Sequence, residues 1–150
     1  MKRTHLRSKD VNKELARFNL NLSKKDLVEL SEDQHTIILV NQQPAFFKYN
    51  TKFMPTLQYL QTHAMLKTIS VDMGAIKFII QGADIMRPGI IAIQEGIEKD
   101  EIIVVIDEKN KNPLAIGIAL CGSAEMQKMK SGKAIKNIHY VGDELWKAVL

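Results

Sequence analysis

Apolar residues in the first third of the chain recur at helical spacing and then at strand spacing. In "SKDVNKELARF", Val11, Leu15 and Phe18 fall at i, i+4 and i+7, one side of a helix with Ser8 as its N-cap. "SKKDLVEL" repeats the signal, with Ser23 and Asp26 near capping-box spacing ahead of Leu27 and Leu30, and predicts a second helix. The pattern then changes. "HTIILVN" and "AFFKYN" flank "NQQP" and are rich in β-branched and aromatic residues, so residues 37–40 and 45–49 are expected to pair as a hairpin. Pro55 opens "PTLQYLQTH" in the manner of a helix first turn, packed by Leu57, Leu60 and Tyr59. This part reads as α+β.

From Lys67 the apolar runs shorten and multiply. "TISV", "GIIAI", "EIIVVID", "LAIGIAL" and "AIKNIHYV" alternate with Gly, Pro, Asn and Asp, the spacing of a mainly-β barrel or sandwich rather than of βαβ layers. Residues 102–106 are continuously apolar and belong at the centre. In 114–120, large residues (Leu114, Ile116, Ile118, Leu120) alternate with small ones (Ala115, Gly117, Ala119). The large face is expected to fill a core and the small face to admit a neighbouring backbone, with a small-molecule slot as the alternative. Ser123 is placed to cap a short helix through Lys130. The change of texture at 63–67 divides the chain into 1–66, α+β, and 67–150, mainly β.

Charge is segregated along this frame. The net charge of +4 and pI of about 9.1 are mild, but Lys2, Arg3, Arg7, Lys9, Lys13 and Arg17 crowd the start. Lys128, Lys130, Lys133 and Lys136 form a second basic stretch, with acidic residues 95–108 before it. Cys121 is the single cysteine, which excludes an intramolecular disulfide and suggests a reducing, cytoplasmic setting. No apolar run approaches the ~18–20 residues that cross a bilayer, so no membrane is expected.

Catalytic and metal chemistry finds little support. His5, His35, His63 and His139 lie far apart, without the i, i+3 or i+4 pairs of a metal helix. Cys121 with His139 is read as packing rather than as nucleophile and base. "SGKAI" lacks the upstream glycine of a phosphate loop, Gln127 standing there, and no strand leads directly into it. The expectation is a protein without catalysis, cofactor or metal.

"VDMGAIKFIIQGADIMRPGI", residues 71–90, is the densest local signal. Asp72 caps a helix whose Ile76, Ile79 and Ile80 face inward while Lys77 and Gln81 face out. Gly82 is its left-handed stop, and Pro88 and Gly89 suit a type II turn before the strand at 90–93. "GAIKFIIQGADIMRPGI", followed by "GKAIKNIHYVGDELW", resembles the start and end of the PUA domain, an RNA-binding module, across residues 67–146. With "AFFKYNTKFMPTLQYL" upstream, nearly the whole chain is similar to the malignant T-cell-amplified sequence family, itself similar to the N-terminal part of ligatin. That resemblance implies an α+β pre-PUA domain (1–66) joined to a PUA domain (67–150) that is a mainly-β pseudo-barrel. The short interval between Ile90 and Ile102 suggests an archaeal version.

Several expectations follow from the resemblance. Eukaryotic members act at the small ribosomal subunit in initiation, reinitiation and recycling, with a partner carrying an initiation-factor-1-like domain. The implied ligand is structured RNA, ribosomal or transfer. The implied RNA-binding residues are Lys77, Gln81, Gly82 and Arg87, with Lys133 and Lys136 widening the track. Loop N–H groups and the two cations would meet phosphates, and Gln81 a base or ribose edge. His139, Tyr140 and Trp146 are expected to pack. An RNA-recognition subunit for a separate RNA-modifying enzyme and a small-molecule-binding protein are the alternatives.

Overall fold

Residues 2–148 are described by a computed structural model, and they form two compact units, Met1–Met65 and Leu66–Leu150. The first unit opens with strand β1 (Arg3–Leu6) and helix α1 (Ser8–Leu15), extended by a 3-10 turn at Ala16–Phe18. Val11 and Leu15 are buried, as their spacing requires, and Phe18 packs against the same core. Ser8 is the first helical residue rather than the cap; Arg7 takes the N-cap position without a side-chain bond.

The second expected helix is absent. Residues 23–26 make the local bonds of a capping motif: Ser23 N–H donates to Asp26 Oδ2 at 2.8 Å, and Lys25 N–H to Ser23 Oγ at 3.0 Å. The chain then enters strand β2 (Val28–Glu32) instead of a helix. The reason lies outside the segment, because β2 pairs with β1 on one side and with β3 (Thr36–Val40) on the other. Asn41 closes the turn, accepting from Leu27 N–H at 2.9 Å and donating to Asp26 Oδ1 at 3.0 Å.

The hairpin forms between β3 and β4 (Gln43–Tyr49), joined by Asn41 and Gln42. Both have positive φ, 51° and 69°, as a type I′ turn demands. Strand β5 (Lys52–Pro55), not expected from sequence, completes an antiparallel sheet in the order β1-β2-β3-β4-β5. Pro55 therefore ends a strand. Thr56 caps helix α2 (Leu57–Leu60), its Oγ1 accepting from Tyr59 N–H at 3.1 Å. Leu15, Val28, Ala45 and Phe46 are fully buried at the centre of this unit.

In the second unit β6 (Thr68–Val71) leads through a 3-10 turn (Met73–Ala75) to helix α3 (Ile76–Ile79). Strand β7 (Ile85–Met86), a 3-10 turn at Arg87–Gly89 and strand β8 (Ile90–Ile93) follow. Then come β9 (Ile102–Asp107), β10 (Pro113–Ala119), helix α4 (Ser123–Lys128), β11 (Lys133–Tyr140) and helix α5 (Glu144–Ala148). Gly122, not Ser123, is the N-cap of α4.

The sheet order is β7-β11-β10-β9-β6-β8, with β6 and β9 parallel and the other pairs antiparallel. Its two edges, β7 and β8, are joined by Arg87–Gly89 alone. A flat six-stranded sheet would hold those edges about 24 Å apart. The link from Met86 to Ile90 reaches at most about 14 Å. The sheet therefore curls into a nearly closed barrel, the α+β plus pseudo-barrel class read from sequence.

The barrel interior bears out the reading of β10 in part. Ala115 and Ala119, the small residues of β10, belong to the core cluster with Ile69, Val71, Ile103, Val105 and Ile135. Ile118 is only half-buried and Leu120 is exposed. Leu114 of the large set shares that cluster and Ile116 is fully buried, so both faces of β10 are packed; β11 comes close at Gly117, where a Cβ would overlap Ile135 Cγ2 and lie 2.9 Å from Lys136 O. The small face is filled, so it offers no ligand slot.

Candidate nucleic-acid interface

The interface is built on α3 and the loop that returns from it to β7. Asp72 follows β6 and caps the 3-10 turn, its Oδ1 accepting from Ala75 N–H at 2.9 Å. Only four α-helical residues follow, too few for a two-turn apolar stripe. Ile79 is buried, Ile76 is half-buried, and Ile80, expected inside, is 40% exposed. Phe78 is 56% exposed, with Lys77 Nζ 5.1 Å from its ring centre.

Gly82 stops the helix with φ +96°. Gly82 N–H donates to Ile79 O at 3.0 Å and Ala83 N–H to Phe78 O at 3.1 Å, the paired bonds of a Schellman cap. Ile80 and Gln81 N–H bond back to Ile76 O and Phe78 O. These four amides are thus committed within the loop, and the expected amide contacts to phosphate are not available from them. A Cβ at Gly82 would stand 3.2 Å from the Tyr140 hydroxyl, so glycine also lets the ring of Tyr140 support the loop.

Strand β11 braces the loop from below. Asn137 Nδ2 donates to Ile79 O at 3.1 Å and to Ala83 O at 3.0 Å, and its N–H donates to Asp84 Oδ1 at 3.0 Å. Lys133 Nζ bridges to Asp84 Oδ2 at 3.3 Å. The result is an open cleft of about 480 Å³ between the 3-10 turn, α3, the loop and the Arg87–Gly89 turn. Its lining is mostly apolar, with Ala75, Phe78, Ile79, Met86 and Pro88, and it holds two carboxylates, Asp72 and Asp84.

The six residues singled out from sequence surround the cleft without lining it. Lys77 and Gln81 are exposed beside it, and Gly82 shapes the loop. Lys133 is exposed and lies opposite Met86 in the strand register. Lys136 is exposed opposite Ile118, with no bond tying it to the cleft. Arg87 is half-buried: its Nε donates to Met126 O at 2.7 Å and its Nη1 to Ile90 O at 3.2 Å. Its guanidinium stitches the link between the barrel edges. Gly89 lacks the positive φ of a type II turn, and Pro88 stands within a 3-10 turn instead. Sequence reasoning missed Phe78 and Met86, the exposed apolar walls. A helical stripe placed Phe78 nowhere, and its aromatic character beside a lysine was the one available signal.

The remaining reactive groups are structural. Cys121 packs in the barrel core, and burial, with Glu125 nearby, pushes its thiol up. Burial by itself raises Asp143, but the His139 hydrogen bond and charge and the Trp146 and Tyr140 amides outweigh it and hold the carboxyl low. His139 is fully buried, its Nδ1 2.8 Å from Asp143 Oδ2, and Trp146 is half-buried. Among the described residues no group of three or more His, Cys, Asp or Glu side chains is placed to hold a metal, and no helix is long and apolar enough to cross a membrane.

Residues 67–141 match the family model of the PUA domain, and residues 4–63 match that of a domain of unknown function, DUF1947. The chain belongs to the PUA-domain family. An uncharacterised protein of Methanocaldococcus jannaschii is 45% identical over 97% of this chain and 95% of its own. Translation machinery-associated protein 20 of Schizosaccharomyces pombe is 34% identical over 85% of this chain and 74% of its own. Malignant T-cell-amplified sequence 2 of Mus musculus is 34% identical over 86% and 75%. The combined pre-PUA and PUA arrangement is thus that of the malignant T-cell-amplified sequence and translation machinery-associated group, and the higher archaeal identity agrees with an archaeal version. A hypothetical protein of Pyrococcus horikoshii has the same fold over 99% of this chain and 100% of its own, with TM-score 0.86 and 32% identity. A chain of an H/ACA RNP bound to a substrate RNA shares the fold over 63% of this chain and 29% of its own, with TM-score 0.52 and 22% identity.

Proposed function

We propose that this protein is a non-catalytic, cytoplasmic RNA-binding factor of translation, acting with the small ribosomal subunit or tRNA in initiation or recycling. The carrying observation is the cleft with Phe78 exposed at its lip and Lys77 over the ring. An unpaired base stacks on an exposed aromatic at about 1–3 kcal/mol, whatever its identity. Asp72 and Asp84 then offer acceptors to the amino group of a base edge, and Lys77, Gln81 and Lys133 stand where sugar and phosphate emerge. Gly82 and Arg87 shape the site, and Lys136 extends its charge. PUA membership and the translation-associated relatives support this reading, as does the RNA held by the H/ACA assembly. A protein with an initiation-factor-1-like domain is the partner this reading favours.

The cleft holds an unpaired nucleotide, which sets the test. Phe78→Ala should weaken binding of a structured RNA with a single-stranded extension, tRNA for example, by roughly 5- to 100-fold. The fully paired form of the same RNA should bind wild type and variant equally weakly. Equal loss on both RNAs, or none on either, would show that the cleft does not hold a base. A metabolite retained through purification, with no RNA affinity, would favour a small-molecule binder instead.

A further inference from the structure

The hairpin that joins β9 to β10, "EKNKN" at residues 108–112, carries two further cations. Lys109 and Lys111 are exposed at its tip, and among the described residues neither forms an ion pair. The tip is held in shape from below. Asp107, buried, accepts from Asn110 N–H at 2.6 Å and from Asn112 N–H at 3.2 Å, and its carbonyl accepts from Lys111 N–H at 3.2 Å. The acidic members of this segment are therefore withdrawn, Asp107 into those bonds and Glu108 half-buried, while the lysines project.

The hairpin is joined to the cleft through the barrel. β9 runs parallel to β6 with Asp107 opposite Val71, and Glu108 N–H donates to Val71 O at 3.0 Å. The next residue, Asp72, lines the cleft and caps the turn whose Gly74 and Ala75 line it too. At this same end of the barrel β11 finishes at Tyr140, the ring beneath Gly82. Lys133 stands at the opposite end of β11, bridged to Asp84 on the far wall. Seven residue steps of strand from Lys133 to Tyr140 cover about 23 Å. That length accommodates several successive phosphates of one strand.

We propose that the β9–β10 hairpin tip is a second phosphate-contact point of the RNA site, with Lys109 and Lys111 holding the backbone of the strand that leaves the cleft past Asp72. This rests on the cleft reading and extends it. The ligand is an RNA several nucleotides longer than the cleft encloses, not a mononucleotide or an isolated base.

Salt titrations of binding test it, with single-stranded RNAs of about four and about sixteen nucleotides. The double variant Lys109→Ala/Lys111→Ala should lower the log–log salt slope for the longer RNA by about 1.4, at about 0.7 per phosphate. Its affinity should fall on the order of tenfold at about 0.1 M salt. The shorter RNA should bind as to wild type, and Lys109→Arg/Lys111→Arg should restore the slope. An unchanged slope and affinity on the longer RNA, with Phe78→Ala still impaired, would overturn the hairpin contact and leave the cleft reading standing. Loss on the longer RNA with Phe78→Ala unaffected would overturn the cleft reading, and with it a strand passing from cleft to hairpin.

Discussion

Arg87 and Lys77 look equivalent in sequence, two cations bracketing a glycine loop, yet they do different work. Lys77 has its ammonium in solvent beside Phe78, whereas Arg87 spends Nε and Nη1 on the carbonyls of Met126 and Ile90. Two separate nitrogens of one rigid fork reach these carbonyls, which the single nitrogen of an ammonium does not reproduce, so the guanidinium matters beyond its charge. Arg87→Ala should lower stability by about 1.5–3 kcal/mol, the range for hydrogen bonds to charged groups. Arg87→Lys should recover little of it. Lys77→Ala should stay within ~0.5 kcal/mol of wild type. Urea unfolding midpoints of the three variants check this, and equal midpoints would return Arg87 to a purely surface role. No sequence pattern separates the two, because the carbonyls that Arg87 satisfies come from 39 and 3 residues away.

Elements are fixed by their neighbours as much as by their own residues, and α5 shows how. Asp143 caps it, Oδ1 accepting from Trp146 N–H at 2.7 Å, while Oδ2 accepts from Tyr140 N–H at 2.9 Å and meets His139. An ionised carboxylate only accepts, so His139 Nδ1 carries the proton in this pair. Because the folded carboxyl is held below its unfolded value near about 3.9, the stabilisation is complete above that pH and is lost as pH falls through the lower folded value. Asp143→Ala should cost about 1–2 kcal/mol near neutral pH, the scale of a lost N-cap. Thermal melts should show wild type and variant converging as pH falls from about 3.9 through the lowered folded value; a gap that stays constant across that fall would disprove the linkage. Neither α5 nor its cap was read from "YVGDELW", although Asp143 ahead of Glu144 suits a helix start. The same dependence on neighbours explains what else was and was not legible. The barrel strands β6, β8, β9, β10 and β11 are short runs rich in apolar and β-branched residues and were read directly. β1 and β5 are four-residue edges of mixed polarity, and residues 23–30 carry a sound local capping signal that pairing with β1 and β3 overrides. The cleft was legible only as a glycine stop beside a lysine. Its aromatic wall depends on how a four-residue helix turns Phe78 outward.

At the scale of the whole molecule, the question is which of the two basic surfaces meets RNA. Net charge favours neither, since Lys9 and Lys13 are as exposed on α1 as Lys77 and Lys136 are on the barrel unit. What differs is the surrounding chemistry. The barrel cations stand around a cleft with an exposed aromatic and two carboxylate acceptors, whereas α1 turns its buried residues, Val11 and Leu15, into its own core and offers solvent only polar side chains. Phosphate attraction alone gives weak binding that any basic face can supply. Binding that prefers an unpaired nucleotide needs the stacking surface as well. Lys77→Glu/Lys136→Glu should therefore weaken binding of an RNA with a single-stranded extension and reduce the log–log salt slope by about 0.7–0.9 for each lost phosphate contact. Lys9→Glu/Lys13→Glu carries the same change in net charge and should leave that preference for unpaired nucleotides intact. Both pairs are exposed, so melting temperatures should hold, exposed substitutions costing within ~0.5 kcal/mol. If the α1 pair abolishes binding while the barrel pair binds as wild type, the RNA surface belongs to the first unit, and the cleft has another ligand.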